Sequence, residues 1–165
     1  MSALRISVAD DEPDMREFYQ RMLTHLGHRV VSCSSNGREL VDECLRQLPD
    51  LVITDLRMPE MDGLSAAQKI GQQYRVPVIL VSAYHLPEMI QRANANFVQA
   101  FLVKPISLSD LTPAIDLARR QFARLQDNRQ EGNERQQAQQ DCRRSASPSV
   151  PSTSAHGVRP RDIGF

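Results

Sequence analysis

Residues 51–63 read LVITDLRMPEMDG, a stretch in which an apolar run ends at an ionisable side chain, Asp55. Leu51, Val52 and Ile53 are apolar at consecutive positions, which is typical of a strand buried on both faces of a parallel sheet. The stretch then passes through a proline and closes on an Asp-Gly pair, and both are turn signals. An isolated acid here has a simple explanation as a turn cap, so the rest of the chain must decide its role.

The first 125 residues repeat this pattern of short apolar runs separated by segments with helical periodicity. Strands are predicted at residues 4–9, 29–33, 51–54, 78–82 and 100–103. Helices are predicted at residues 14–26, 38–48, 64–74, 87–96 and from 109 to about 125. Alternating strands and helices with short loops predict an α/β fold: a doubly wound, five-stranded parallel sheet with helices on both faces.

The composition changes after residue 125. Residues 126–165 are rich in Gln, Arg, Ser and Pro and have almost no large apolar side chains. Such a segment buries too little apolar surface to offset the entropy that ordering costs. We therefore predict one domain at residues 1–125, followed at residues 126–165 by a disordered polar tail or truncated linker.

Charge and composition exclude several classes of protein. Lys plus Arg equals Asp plus Glu at 20 each, so there is no overall bias toward nucleic acid or a membrane surface. The amino terminus does not read as a signal peptide, and no segment approaches the ~20 apolar residues of a membrane span, which predicts a cytoplasmic protein. The three cysteines have no spacing that indicates a disulfide framework or a zinc site.

In a doubly wound sheet the ligand crevice lies outside the carboxyl ends of the strands. The polar residues at or just after those ends are Asp10, Asp11, Asp55, Ser82 and Lys104. Three carboxylates, a hydroxyl and an ammonium group are therefore expected to meet at one edge of the sheet. Clustered oxygens of this kind suit Mg²⁺. The sequence thus predicts a magnesium site centred on Asp55 rather than a turn cap.

Four segments together resemble the receiver domain of two-component response regulators, a CheY-like family: VADDE at 8–12, DLRMPEMDG at 55–63, VSAY at 81–84 and LVKP at 102–105. The resemblance covers residues 4–125 and implies a phosphoacceptor signalling protein, not an enzyme with a separate substrate. It implies that Asp55 attacks the phosphohistidine of a sensor histidine kinase or phosphotransfer protein and becomes an aspartyl phosphate. Beyond self-catalysed phosphotransfer, autodephosphorylation is the one further reaction it leaves open.

The resemblance also implies roles for the neighbouring groups. Mg²⁺ is expected to bind directly to Asp11, Asp55 and the backbone carbonyl of Arg57, and through a water molecule to Asp10. Without the ion the carboxylates repel one another and an incoming phosphoryl group, so their pKa values would rise. Lys104, the Ser82 hydroxyl and the Ala83 backbone N–H are expected to bind the phosphoryl oxygens.

Phosphorylation is expected to act as a switch. Ser82 would move toward the phosphoryl group and open space for Phe101, which stands three residues before Lys104. The surface formed by the predicted helix at 87–96, the fifth strand and the last helix would then change for a downstream protein target. The family also keeps the Lys104–Pro105 peptide bond cis, so a cis bond is expected here.

Two positions depart from the family's usual pattern. Phe97 stands where receivers commonly have glycine, so an unusual junction is expected between the helix at 87–96 and the fifth strand. Tyr84 either shields the phosphoryl group from water or is simply a packing aromatic. The apolar residues of the last helix are spaced as in a heptad repeat, but the repeat lasts under three heptads and breaks at Arg129 and Gly132, so packing on the sheet is favoured over a coiled coil. A homodimer through the switch surface stays open.

Three other functions compete with a phosphoacceptor. A non-phosphorylated scaffold would be expected to lose Asp55, an acidic-pair residue or Lys104, and none is lost. A regulator of transcription or antitermination needs an output region that the tail does not resemble, and the balanced charge argues against nucleic acid. A metal-dependent phosphatase of related fold would need a D-x-D motif after the first strand, where this chain has Asp-Asp-Glu.

Overall fold

The computed structural model describes residues 3–83 and 97–145, and its five strands form one parallel sheet. The strands are β1 (Arg5–Ala9), β2 (Arg29–Ser34), β3 (Leu51–Asp55), β4 (Val78–Ser82) and β5 (Ala100–Val103). Their order across the sheet is β2-β1-β3-β4-β5, and each neighbouring pair is parallel. The predicted doubly wound α/β fold is confirmed, and each predicted strand matches its observed bounds to within one residue.

Helices follow the strands along the described chain. They are α1 (Pro13–His25), α2 (Gly37–Gln47), α3 (Gly63–Gln73) and α4 (Leu108–Ser145). The helix predicted at 87–96 lies outside the described residues. No helix in the described part of the chain is both long and apolar enough to span a membrane.

Apolar side chains form a core on each face of the sheet. Ile53 packs on one face with residues of α1 and α4, and Val52 packs on the other face with residues of α2 and α3. Successive residues of a strand point to opposite faces, so a strand covered on both sides needs an unbroken apolar run. All five residues of β3 are buried, which explains why residues 51–53 are uniformly apolar.

The helix ends carry the expected signals. Gly27 follows α1 with φ of 82°, a left-handed conformation that glycine adopts without steric cost. Asn36 caps α2 by accepting the backbone N–H of Glu39 at 2.9 Å. Asp62 caps α3 by accepting the backbone N–H of Ser65 at 2.6 Å. Each cap satisfies a backbone N–H that would otherwise lack a partner in the first turn of its helix.

The last helix is longer than predicted. α4 runs to Ser145, well beyond the helix end expected near residue 125. Residues 126–145 contain six Gln, four Arg and two Glu residues, which favour helix, and no proline. The sequence argument tested only whether this segment can bury apolar surface, which an exposed helix does not require. Disorder at residues 146–165, outside the described part, stays a prediction.

The chain divides into two units, Met1–Asn128 and Arg129–Phe165. The first unit contains the whole sheet, α1, α2, α3 and the part of α4 that packs on the sheet. In that part, Leu111, Ile115 and Ala118 are buried against the core, so the heptad spacing reflects packing on the sheet. This is the alternative that the sequence favoured over a coiled coil.

Phe97, one of the two departures from the family pattern, packs against α3. A Cβ atom added to Gly71 would overlap the Phe97 ring, so glycine leaves the room that this ring occupies. Just after it, the Gln99 backbone N–H donates to the Val78 carbonyl at 2.9 Å, and the Gln99 side chain accepts the Val78 N–H at 2.7 Å. The unusual aromatic is therefore accommodated by a glycine on another helix, and the start of β5 is held against β4.

Candidate functional site

Asp55 is the last residue of β3 and is buried, with 6% of the residue exposed. β3 lies between β1 and β4 in the middle of the sheet, so its carboxyl end opens at the centre of the edge. Asp55 Oδ2 accepts a hydrogen bond of 2.9 Å from the backbone N–H of Arg57. This bond fixes one carboxylate oxygen and leaves Oδ1 for side chains from other strands.

The loop that follows Asp55 folds back onto the strand. The Gly63 N–H donates to the Leu56 carbonyl at 2.9 Å, and a Cβ atom on Gly63 would overlap the backbone oxygen of Asp55. The Met61 carbonyl accepts the N–H of Gly37, the first residue of α2, at 3.1 Å. The Asp-Gly pair of the DLRMPEMDG segment is thus a helix cap followed by a residue that must lack a side chain.

The acidic pair follows β1. Asp10 is fully buried, and its Oδ1 accepts the backbone N–H of Glu12 at 3.0 Å, whereas Asp11 is exposed. The Arg16 guanidinium, on the first turn of α1, donates to the backbone carbonyls of Asp10 at 2.7 Å and Asp11 at 3.1 Å. Arg16 therefore braces this loop. The sequence analysis missed Arg16 because its spacing resembles that of any arginine on a helix surface.

Lys104 joins acids that come from two strands. Its Nζ lies 2.9 Å from Asp10 Oδ2, 3.1 Å from Asp55 Oδ1 and 3.8 Å from Glu12 Oε1. The peptide bond from Lys104 to Pro105 is cis, as expected. The structure therefore brings together the lysine and two of the acids that the strand ends predicted to meet.

The pKa values at this edge follow from burial and from Lys104. Burial raises the pKa of the Asp55 carboxyl, while the hydrogen bond and charge of Lys104 oppose that shift and the charge of Asp10 adds to it. Burial lowers the pKa of Lys104, but its hydrogen bonds and charge interactions with Asp10 and Asp55 outweigh burial and leave that pKa raised. Lys104 is thus a permanent cation beside a carboxyl that ionises less readily than usual.

A cavity of about 210 Å³ opens beside these groups. Its walls are formed by Asp11, Glu12, Asp55, Leu56, Arg57, Ser82, Ala83 and Lys104. Ser82 and Ala83 therefore lie at the same cavity as Asp55, as predicted, and the Ser82 carbonyl accepts the Lys104 N–H at 2.8 Å. Phe101 is 36% exposed on β5 and does not line the cavity, and Tyr84 lies outside the described residues.

Oxygen donors suited to a divalent cation lie at this edge. One carboxylate oxygen from each of Asp10, Asp11 and Glu12 lies within 4.8 Å of the others. Asp55 and Arg57 line the cavity together with Asp11 and Glu12. Clustered carboxylate oxygens fit the ligand preference of Mg²⁺. Glu12 is an acid that the predicted metal set omits, although it directly follows the acidic pair in the sequence.

This fold and its acidic edge belong to a known class of signalling domain. The family model described as "Response regulator receiver domain" matches residues 6–116. The chain therefore belongs to the response regulator receiver domain family of two-component signalling systems, in agreement with the resemblance of its motifs.

Individual relatives support this assignment. The "Transcriptional regulatory protein PdtaR" of Mycobacterium tuberculosis is 36% identical over 121 residues, which are 73% of this chain and 59% of that relative. The chain thus spans less than two thirds of the length of PdtaR. The solved signal receiver domain of NarL from Mycobacterium tuberculosis is 30% identical with a TM-score of 0.67, and the match covers 72% of this chain and 98% of that chain.

A more distant solved structure shares the fold. A chain of the CheX-CheY-BeF₃-Mg²⁺ complex from Borrelia burgdorferi is 20% identical, with a TM-score of 0.64. The match covers 67% of this chain and 85% of that chain. At this identity the similarity shows a common fold.

Proposed function

We propose that this receiver accepts a phosphoryl group on Asp55 from the phosphohistidine of a sensor histidine kinase or phosphotransfer protein. One observation carries the proposal: Lys104 lies 3.1 Å from Asp55 Oδ1 at a cavity that Ser82 and Ala83 also line. This arrangement puts a nucleophile and the donors that a transferred phosphoryl group needs around one small space.

In the proposed transfer, an Asp55 carboxylate oxygen forms a bond to phosphorus while the phosphorus–nitrogen bond of the phosphohistidine breaks. The electron pair of the broken bond stays on the partner's imidazole nitrogen, and the ring's remaining proton keeps the departing imidazole neutral. The backbone N–H of Arg57 and the close approach of Gly63 hold Asp55 in place during this step. Proximity and orientation therefore come from the loop that follows β3.

Three groups would stabilise the charge of the transferred phosphoryl group. The Lys104 ammonium needs to move only a short way from Asp55 Oδ1 to reach oxygens bonded to the phosphorus. The Ser82 hydroxyl and the Ala83 N–H belong to the wall of the same cavity and would donate to the remaining oxygens. Charge stabilisation and positioning are the main contributions that proteins make to phosphoryl transfer.

The acidic residues would hold Mg²⁺. The ligands that the family resemblance implies are Asp11, Asp55 and the backbone carbonyl of Arg57, with Asp10 acting through a water molecule. Glu12 adds a carboxylate whose oxygen lies with those of the acidic pair. When bound, the ion supplies positive charge that offsets repulsion between the carboxylates and the phosphoryl group. Burial raises the pKa of Asp55, which is consistent with that need.

The same site would drive a switch on β5. Phosphorylated Asp55 would attract the Ser82 hydroxyl and Lys104, and Phe101 would move into the space that Ser82 leaves. Phe101 starts 36% exposed, so its further burial is favourable. The altered surface around β5 would then bind a downstream protein target.

Intact mass spectrometry after incubation with Mg²⁺ and acetyl phosphate tests the proposal. The wild type is expected to gain one phosphoryl group that is sensitive to acid and base, while Asp55→Asn and a chelator-treated sample gain none. Asp50→Asn changes a carboxylate that does not line the cavity, so it should behave like the wild type. A folded wild type that binds Mg²⁺ but gains nothing, from acetyl phosphate or candidate kinases, would overturn the proposal in favour of a scaffold.

A further inference from the structure

Tyr19 carries a buried hydroxyl that the described structure leaves unsatisfied. The residue lies on α1 with 0% exposed, and its hydroxyl has no hydrogen-bond partner among the described residues. A buried hydroxyl without a partner loses its hydration and gains nothing in exchange, so phenylalanine would suit this state of the core better. The hydroxyl is therefore unexplained by packing alone.

The fold places Tyr19 on the same side of the sheet as the two buried carboxylates. α1 begins at Pro13, directly after the Asp-Asp-Glu segment, and helical side chains lean toward the amino end of their helix. Tyr19 packs in the same core cluster as Val8 and Ile53, the residues two positions before Asp10 and Asp55. Residues two apart on a strand point to the same face, so Tyr19 packs on the face of the sheet to which Asp10 and Asp55 also point.

The electrostatics of Tyr19 agree with that position. Burial raises the pKa of Tyr19, and the negative charges of Asp10 and Asp55 raise it further. The phenol therefore keeps its proton at any physiological pH, so toward a carboxylate it can act only as a donor.

In the structure those carboxylates already have a donor. Lys104 Nζ contacts both Asp10 Oδ2 and Asp55 Oδ1. Under the proposed function, Lys104 redirects its hydrogen bonds to the phosphoryl group. A water molecule on Mg²⁺ would donate to one acceptor site of the Asp10 carboxylate, but this carboxylate is fully buried and has further sites, so the site that Lys104 leaves on Oδ2 would need a donor other than bulk water.

We propose that Tyr19 is a positioning residue of the phosphorylated state, in which its hydroxyl donates to the Asp10 carboxylate when Lys104 turns to the phosphoryl group. This inference rests on the proposed function. It explains why a donor with no partner among the described residues stands in the core. It also links α1 to phosphorylation, in addition to the β5 surface.

The test compares wild type, Tyr19→Phe and Tyr74→Phe as full-length chains. Tyr74 is the matched control because its hydroxyl donates to the Pro49 carbonyl at 3.0 Å and does not line the acidic cavity. Urea unfolding without Mg²⁺ or beryllium trifluoride measures the free energy of unfolding of the unphosphorylated protein, which we call the resting stability. Calorimetric titration of beryllium trifluoride with Mg²⁺ present measures the affinity for a phosphoryl mimic bound at Asp55.

For Tyr19→Phe we expect resting stability equal to or above that of the wild type, and about tenfold weaker binding of beryllium trifluoride, the size of one hydrogen bond to a charged group. Tyr74→Phe should instead show lower resting stability and unchanged binding of beryllium trifluoride. A packing defect at position 19 would lower both the stability and the affinity, so opposite signs in the two measurements separate the proposed role from such a defect.

Two results would overturn the inference alone: Tyr19→Phe binds beryllium trifluoride as tightly as the wild type, or it loses resting stability as Tyr74→Phe does. A different result would overturn the proposed function, and the inference with it. In that case the wild type itself neither binds beryllium trifluoride with Mg²⁺ nor gains a phosphoryl group from acetyl phosphate.

Discussion

At the amino-terminal end of the sheet the Tyr74 hydroxyl donates to a backbone carbonyl, that of Pro49, whereas at the carboxyl-terminal end Lys104 is bonded to two carboxylates. A side-chain bond to the backbone ties down the local chain and is exchanged only when that chain moves. The ion pairs of Lys104 with Asp10 and Asp55 can be exchanged by moving one flexible side chain. The amino-terminal end is therefore suited to holding the fold, and the carboxyl-terminal end to changing partners.

Other polar residues follow the same division. At the amino-terminal end, Asp50 accepts the backbone N–H of Arg5 at 2.8 Å, and His28 Nδ1 accepts a backbone N–H at 3.3 Å. At the carboxyl-terminal end, the Tyr19 hydroxyl has no partner among the described residues, and burial raises the pKa of Asp55. Unsatisfied or strained polar groups of this kind are concentrated at functional sites.

Replacing Lys104 with methionine gives the largest expected change, because it leaves the Asp10 and Asp55 carboxylates without their cation. Removing one partner of a buried ion pair costs about 3 kcal/mol, and we expect the free energy of unfolding of the metal-free protein in urea to fall by about this much. Asp50→Ala removes an exposed acceptor at the other end and should cost about 1 kcal/mol. Equal losses in the two variants would break the distinction between the ends.

Two glycine substitutions, one at each end of the sheet, give the next largest expected changes in the free energy of unfolding. Gly63→Ala should lower the free energy of unfolding by about 2 kcal/mol, because the added Cβ overlaps the Asp55 carbonyl and the loop must shift. Gly27→Ala meets nothing within 4 Å but keeps φ of 82°, which costs alanine about 1 kcal/mol. In a Mg²⁺ titration only Gly63→Ala should weaken binding. Weaker binding in Gly27→Ala as well would mean that the two ends are not independent.

Asp55→Asn is expected to stabilise the metal-free protein modestly at neutral pH. The folded-state pKa of Asp55 lies above its ordinary value of 3.8, so the folded protein holds this proton more tightly than the unfolded chain. Ionisation of Asp55 therefore lowers stability as pH rises through the folded-state pKa. The difference in free energy of unfolding between Asp55→Asn and the wild type should reach its full value above that pKa and should shrink as the pH falls toward 3.8. Urea unfolding at several pH values measures it, and a destabilised variant at neutral pH would contradict the prediction.

His28→Asn gives the smallest expected change, at the amino-terminal end. Burial lowers the pKa of His28 below 6.5, with Arg119 lowering it further and Asp116 opposing the shift. The stability that neutral His28 contributes is fully present above pH 6.5, which is the ordinary pKa. It is lost as the pH falls from 6.5 through the lowered pKa of the folded state. Asn can still accept the N–H bond, so the variant should lose less stability than wild type between pH 7 and pH 5. His25→Asn, on the exposed end of α1, is the control and should follow the wild type.

Much of the fold and the position of the site could be predicted because they depend on local patterns. Runs that are apolar on both faces locate the strands, and parallel strands necessarily bring their carboxyl ends to one edge. Asp10, Asp55 and Lys104 therefore meet although they are far apart in the sequence. The Asp-Gly pair after Met61 likewise marks the start of α3 through cap chemistry that is local to the chain.

The remaining features depend on contacts that no local pattern encodes. The fit of the Phe97 ring over Gly71 is a steric match between distant positions, and the bracing of the β1–α1 loop by Arg16 depends on the exact path of that loop. The extension of α4 to Ser145 was missed because burial capacity and helix propensity are different properties. That the Tyr19 hydroxyl has no partner among the described residues depends on tertiary packing, which the sequence does not encode locally.

Locating the phosphoryl group within the chain tests the central claim most directly. Protein incubated with Mg²⁺ and acetyl phosphate would be reduced with borohydride, which converts an aspartyl phosphate to homoserine, and then digested for peptide mass mapping. We predict homoserine in place of Asp55 and nowhere else. Homoserine in place of Asp10, Asp11 or Asp50, or none in a folded protein that binds Mg²⁺, would contradict the assignment of Asp55 as the phosphoacceptor.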